Sequence, residues 1–106
     1  MSIPRPQEKD GCLACVEACE RCIADCLKEG PDRAECVRRC LDCVEACLLA
    51  ARLAARGSPF AKEAAALCAR VCDACIEECA RHDDPCCRAC IEACRACAAE
   101  CRAVAA

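Results

Sequence analysis

The stretch Cys12-Leu13-Ala14-Cys15-Val16-Glu17-Ala18-Cys19-Glu20-Arg21-Cys22-Ile23-Ala24-Asp25-Cys26 places cysteine at successive gaps of three, four, three and four residues. An α-helix turns once every 3.6 residues, so this alternation keeps all five thiols on one face, in the register of an a/d heptad stripe. The pattern recurs three times. Cys36, Cys40, Cys43 and Cys47 are spaced 4-3-4, as are Cys68, Cys72, Cys75 and Cys79. Cys87, Cys90, Cys94, Cys97 and Cys101 return to 3-4-3-4, and only Cys86 falls outside the register.

Breakers separate the four stripes: Gly30-Pro31, Gly57-Ser58-Pro59 and His82-Asp83-Asp84-Pro85. Each combines helix-stop chemistry with a Ser or Asp N-cap or a first-turn Pro. The expected segments are 10–29, 31–56, 59–82 and 84–104, free of Gly or Pro apart from Gly11, Pro31, Pro59 and Pro85 in their first two residues, and rich in Ala, Glu, Arg and Leu. Short connections make neighbouring helices antiparallel. The fold class is therefore all-α, an up-down-up-down four-helix bundle over 10–106 with its cysteines facing inward. Residues 1–9, with two prolines, read as an extended or mobile arm.

Composition agrees. The 106 residues suit one domain, yet Leu, Ile, Val, Met and Phe together number only 18, against 19 Cys and 24 Ala. Cysteine must fill much of the core. A second apolar line, Leu13, Val16, Ile23, Leu27, Val37, Leu41, Val44, Leu48, Ile76 and Ile91, is expected to seal the helices or to meet another copy. Leu48, Leu49, Leu53, Phe60, Ala64 and Leu67 read as a dry plug beyond the last thiols of the second and third helices.

Net charge is −3 with both signs interspersed, so neither a basic patch nor an aromatic platform points to nucleic acid. No apolar run approaches the roughly 20 residues of a membrane span, and the first ten residues lack an apolar h-region. A cytoplasmic location, with reduced thiols, is the expectation if Met1 is the native start. An odd cysteine count in helix-forming sequence also argues against a disulfide scaffold.

Eight pairs have the form Cys-x-x-x-Cys: 15/19, 22/26, 36/40, 43/47, 68/72, 75/79, 90/94 and 97/101. Two thiolates satisfy a soft monovalent ion such as Cu(I), whereas Zn takes four ligands and an iron–sulfur cluster uses a loop motif ending in Pro. Buried thiolates need charge compensation, and Cu(I) supplies it near one ion per thiolate if neighbouring ions share ligands. The expected capacity therefore exceeds the eight simple pairs. A copper sensor or chaperone holding few ions, and a cysteine-rich redox or scaffold bundle, remain open as other classes. No catalytic set is present: the carboxylates of Glu17, Glu45, Glu77, Glu78 and Glu92 fall between cysteines on faces expected to be solvated.

With Cys-x-x-x-Cys pairs in all four helices, residues 10–104 resemble the copper storage proteins, four-helix bundles whose cysteine-lined cores hold many Cu(I) ions. The resemblance implies a cytosolic, homo-oligomeric (tetrameric) protein. Metal binding is expected at all nineteen cysteines, from Cys12 to Cys101. The only histidine, His82, joins Cys86, Cys26 and Cys36 as the expected port for the ion.

Overall fold

The computed structural model describes residues 10–106. Four helices, α1 (Asp10–Leu27), α2 (Ala34–Arg56), α3 (Ala61–Cys79) and α4 (Pro85–Ala105), follow one another, with a 3-10 turn at Pro31–Arg33 before α2. The expected arm at 1–9 lies outside the described residues. Each helix packs its backbone on two neighbours, in the closed order α1, α2, α3, α4 and back to α1, and across the α2–α4 diagonal thiols meet, as at Cys47 and Cys97. Numbering across the seams gives the direction. Cys15 faces Cys43 while Cys22 faces Cys36, and Cys43 faces Cys72 while Cys36 faces Cys79, so neighbours run antiparallel.

The connections explain where the helices end. After α2, Gly57 adopts the left-handed conformation (φ 66°, ψ 35°), and its N–H bonds Ala54 while the Ser58 N–H bonds Leu53 at 2.9 Å. This is the Schellman closure that a glycine permits. The expected boundaries at 10 and 56 coincide with helix ends, α4 runs one residue past the expected 104, and the other five overrun the helices by one to three residues. At the end of α1 the Lys28 and Glu29 N–H groups reach back only three residues, and Pro31 starts the 3-10 turn. Asp84 makes no capping bond, contrary to expectation; its carboxylate pairs with Arg33 instead.

Every cysteine except Cys12 and Cys86 is buried. Among the described residues the only buried hydrophobic side chain larger than cysteine is Val44, and the rest of the core is alanine. Apart from Leu48, which follows the a cysteine Cys47 yet lies against the core, the second apolar line divides by heptad position. Val16, Ile23, Val37, Val44, Ile76 and Ile91 each follow a d cysteine, at e, and lie against the core. Leu13, Leu27 and Leu41 each follow an a cysteine, at b, and point outward, with Leu27 67% exposed. They seal nothing within the chain.

The expected plug is also corrected. Leu48 and Leu53 pack on the core, but Leu49, Phe60 and Leu67 are exposed. Leu49 and Leu67 sit at c, turned away from the seam, and Phe60 precedes α3. Alanines Ala50, Ala64 and Ala65 are what lies inside. Too small to fill the end, they leave a cavity of about 390 Å³.

Candidate metal centre

Because four antiparallel stripes face one axis, their thiols stack in foursomes, one from each helix in most cases. Cys15, Cys43, Cys72 and Cys94 form one such foursome, with every sulfur within 4.8 Å of the others. On one side it continues into Cys15, Cys47, Cys72 and Cys97, then Cys12, Cys68, Cys97 and Cys101. On the other it continues into Cys19, Cys43, Cys75 and Cys94, then Cys19, Cys40, Cys75 and Cys90. Successive foursomes share members, so the sulfurs form one column rather than separate sites.

Individual contacts are close throughout. Cys15 lies 3.5 Å from both Cys43 and Cys94, and Cys47 lies 3.6 Å from Cys97. At one end Cys26 and Cys36 are 3.6 Å apart, Cys36 and Cys79 3.8 Å, and Cys22 and Cys87 3.9 Å. At the other end Cys12 is 3.6 Å from Cys97. Of the Cys-x-x-x-Cys pairs, 22/26 and 90/94 are in direct sulfur contact, at 3.8 and 3.9 Å; most sulfur contacts cross between helices.

Burial disfavours charge on these thiols. Desolvation and the neighbouring Cys36 raise Cys26 from 9.0 to about 11. Burial, then the Cys36 and Cys86 sulfurs, push Cys87 upward as well. In the middle of the column, S–H bonds with Cys15, Cys19, Cys43 and Cys72 hold Cys94 in its protonated form. Hydrogen bonds within the column lower Cys15, Cys72 and Cys90 while they raise Cys94, but burial opposes ionisation at every one of them, so the metal-free column keeps most of its protons. A soft cation that replaces protons is the species this donor set suits, since thiolate ligands select Cu(I) and a shared thiolate can bridge two such ions.

One residue near the column, Glu78, differs from its sequence reading. Glu17, Glu45, Glu77 and Glu92 are exposed as expected, but Glu78 is buried. Glu78 occupies a g position beside the seam, whereas the other four occupy f, on the outer face, so the register itself carried the signal. A buried carboxylate needs a partner. The Glu78 Oε2 lies 3.1 Å from the His82 Nε2, one turn on, and Oε1 lies 3.8 Å from Arg81. His82 is therefore engaged with Glu78 and belongs to none of the foursomes named above. Cys86 is half-buried in a small recess with Asp25, Lys28, Glu29 and Asp84. The Arg33–Asp84 ion pair, which the sequence did not suggest, ties the α1–α2 connection to the α3–α4 connection over this end.

A family model described as "Copper storage protein" matches residues 5–106. The Cu(I)-bound copper storage protein BsCsp3, from Bacillus subtilis, is 40% identical with a TM-score of 0.88, over 94% of this chain and 96% of that one. The Streptomyces lividans copper storage protein Ccsp loaded with 10 copper equivalents is 34% identical with a TM-score of 0.87, over 93% and 81% of the two chains. A structure of copper loading to a cytosolic copper storage protein from Streptomyces lividans, with five coppers, is 35% identical with a TM-score of 0.87, over 92% and 88%.

Proposed function

This chain belongs to the copper storage protein family, and from that premise we propose that its nineteen cysteines and His82 are the residues that hold the metal. The function is storage of many Cu(I) ions on core thiolates. One observation carries the assignment of residues: the shared foursomes form a continuous sulfur column inside the bundle.

Loading follows from charge. Each Cu–S bond replaces an S–H bond and releases a proton, and a bridging thiolate serves two ions. Neutrality is then approached on the order of one ion per cysteine. Cys12 and Cys101 terminate the column at one end. Cys26, Cys36, Cys79, Cys86 and Cys87 terminate it at the other, with His82 as the one nitrogen donor there.

The finer readings rest on less. A cytosolic location is supported by the cytosolic Streptomyces relative and by the reduced thiols that Cu(I) storage requires. Among the described residues no helix is long and apolar enough to cross a membrane. A homo-oligomer, tetrameric by resemblance, is supported by exposed Leu41, Leu49 and Leu67 on α2 and α3. The protein sequesters metal and turns over no substrate, in keeping with a storage family.

The test is an anaerobic Cu(I) titration of fully reduced protein against a competing chelator, after free thiols have been counted. A tight capacity above the eight Cys-x-x-x-Cys pairs is expected. Saturation at a couple of ions would instead indicate a sensor or chaperone.

A further inference from the structure

His82 continues the register of the α3 cysteine stripe. Cys68, Cys72, Cys75 and Cys79 are spaced 4-3-4, and His82 follows Cys79 by three, at the next d position. The helix itself ends at Cys79, but the His82 N–H bonds back to the Cys79 carbonyl at 3.0 Å and keeps the chain coiled through that turn. The imidazole thus stands one rung beyond Cys79, whose sulfur is 3.8 Å from that of Cys36 at the end of the column. Its Nε2 lies 3.1 Å from Oε2 of Glu78. Glu78 is the one buried charged side chain among the described residues, and the two side chains are only 10% and 15% exposed. Burying a carboxylate costs free energy. Arg81, at 3.8 Å and itself 70% exposed, compensates it weakly, so His82 is the group against which Glu78 is held.

We propose that Glu78 is the positioning residue for His82: its carboxylate accepts the hydrogen bond of Nε2–H and so presents Nδ1 to incoming Cu(I). The proposal rests on the Cu(I) storage reading. A carboxylate has no proton to donate, so Nε2 must donate to it. A neutral imidazole carries one N–H, and its lone pair is then at Nδ1. Without the carboxylate the proton would divide between the two nitrogens and the ring would be free to turn. With it, tautomer and orientation are both fixed and the ring becomes a stronger donor. The copper–nitrogen bond forms at Nδ1 as a bond from the ion to its external carrier breaks, and no proton leaves. Transfer to Cys79 and Cys36 forms copper–sulfur bonds as the copper–nitrogen bond breaks; the thiol protons leave to water and copper remains Cu(I). Glu78 acts only through the ring.

The first test needs no variant, because His82 is the only histidine in the chain. In metal-free wild type at about pH 8, above the usual imidazole range, nitrogen-15 NMR of the ring should show the proton on Nε2 and a bare Nδ1. That proton should be protected from exchange with water, and Glu78→Ala should lose the protection. At full copper load the Nδ1 resonance should move while Nε2 keeps its proton. A proton on Nδ1 in the metal-free protein, or copper on Nε2 or on neither nitrogen, overturns the proposal. The second test compares loading rates by anaerobic stopped flow, with Cu(I) supplied on a chromophoric chelator. Glu78→Ala and His82→Ala should each load about tenfold more slowly. The double variant should load no more slowly than His82→Ala alone, since the carboxylate works through the ring. Further slowing by Glu78→Ala in the His82→Ala background would mean that the carboxylate acts by its charge on the passing ion, and overturns the positioning role. A wild-type capacity of only a couple of ions overturns the storage reading itself, and the metal-free NMR still judges the Glu78–His82 bond.

Discussion

The sulfurs of Cys15 and Cys94 lie 3.5 Å apart across the α1–α4 seam, although 79 residues of chain separate them. Cys94 is also 3.8 Å from Cys43, which is 3.6 Å from Cys72, so one residue on each helix meets at a single level of the bundle. Cys94 belongs to two of the foursomes. Cys94→Ala should therefore lower copper capacity by about two ions rather than one, since a bridging thiolate serves two neighbours. The metal-free variant should lose only about 1 kcal/mol, because alanine leaves a small void. Titration and urea denaturation check the two halves separately, and a loss of a single ion would speak against sharing.

Metal removal should leave the bundle folded. The thiols pack as small hydrophobes and satisfy one another, and alanine and Val44 complete the core without any ion. This separates the chain from small zinc domains, whose folding free energy is metal-binding free energy. Stripping copper with a strong chelator is expected to keep the helical circular-dichroism signal while lowering the melting temperature. A bound ligand at a thousandfold excess over its Kd contributes about 4 kcal/mol per site. Loss of helix on chelation would contradict the prediction.

The a/d cysteine stripes made the bundle, its antiparallel order and the sulfur column legible from the sequence, because Cys12 to Cys26 and their three counterparts admit only one inward face. What surrounds the stripes depended on finer register. Leu13 and Val16 look alike in a hydrophobic tally, yet one follows an a position and the other a d position, and only Val16 reaches the core. Glu78 and Glu77 differ in the same way. Arg33 and Asp84 were illegible for another reason: they meet because two loops come together at one end of the folded bundle, and no local periodicity encodes that meeting. The cavity beside Cys101 likewise arises from three helices whose small residues happen to coincide.

The left-handed residue after α2 gives a test of the fold independent of metal. Gly57 has φ 66° and its N–H and that of Ser58 close the helix end on Ala54 and Leu53. Gly57→Ala must place a Cβ in that conformation, at a cost of about 1–2 kcal/mol. Urea denaturation of the metal-free protein should register this loss with the denaturant slope unchanged. Copper capacity should stay at the wild-type value, because Gly57 lies beyond the last thiols of α2.

The pH dependence of stability follows from the direction in which burial moves the thiols. Cys26 is raised from 9.0 to about 11, first by desolvation and then by the neighbouring Cys36. A thiol is neutral when protonated, so the folded chain keeps protons that the unfolded chain has released above about pH 9. The unfolded state then binds fewer protons and stability must fall as pH rises. The contribution is fully present below about pH 9 and is lost as pH passes through about 11. Urea denaturation of metal-free protein should give a flat unfolding free energy to about pH 8 and a decline beyond it. Copper-loaded protein has surrendered those protons already, so its curve should stay level across the same window, and the stabilisation by copper should widen with pH. At acid pH the sign reverses for binding: protons compete for each thiolate, and apparent Cu(I) affinity weakens. A metal-free protein that gained stability between pH 9 and 11 would mean that its thiols are ionised and solvated in the folded state, against the burial of Cys26 and its neighbours.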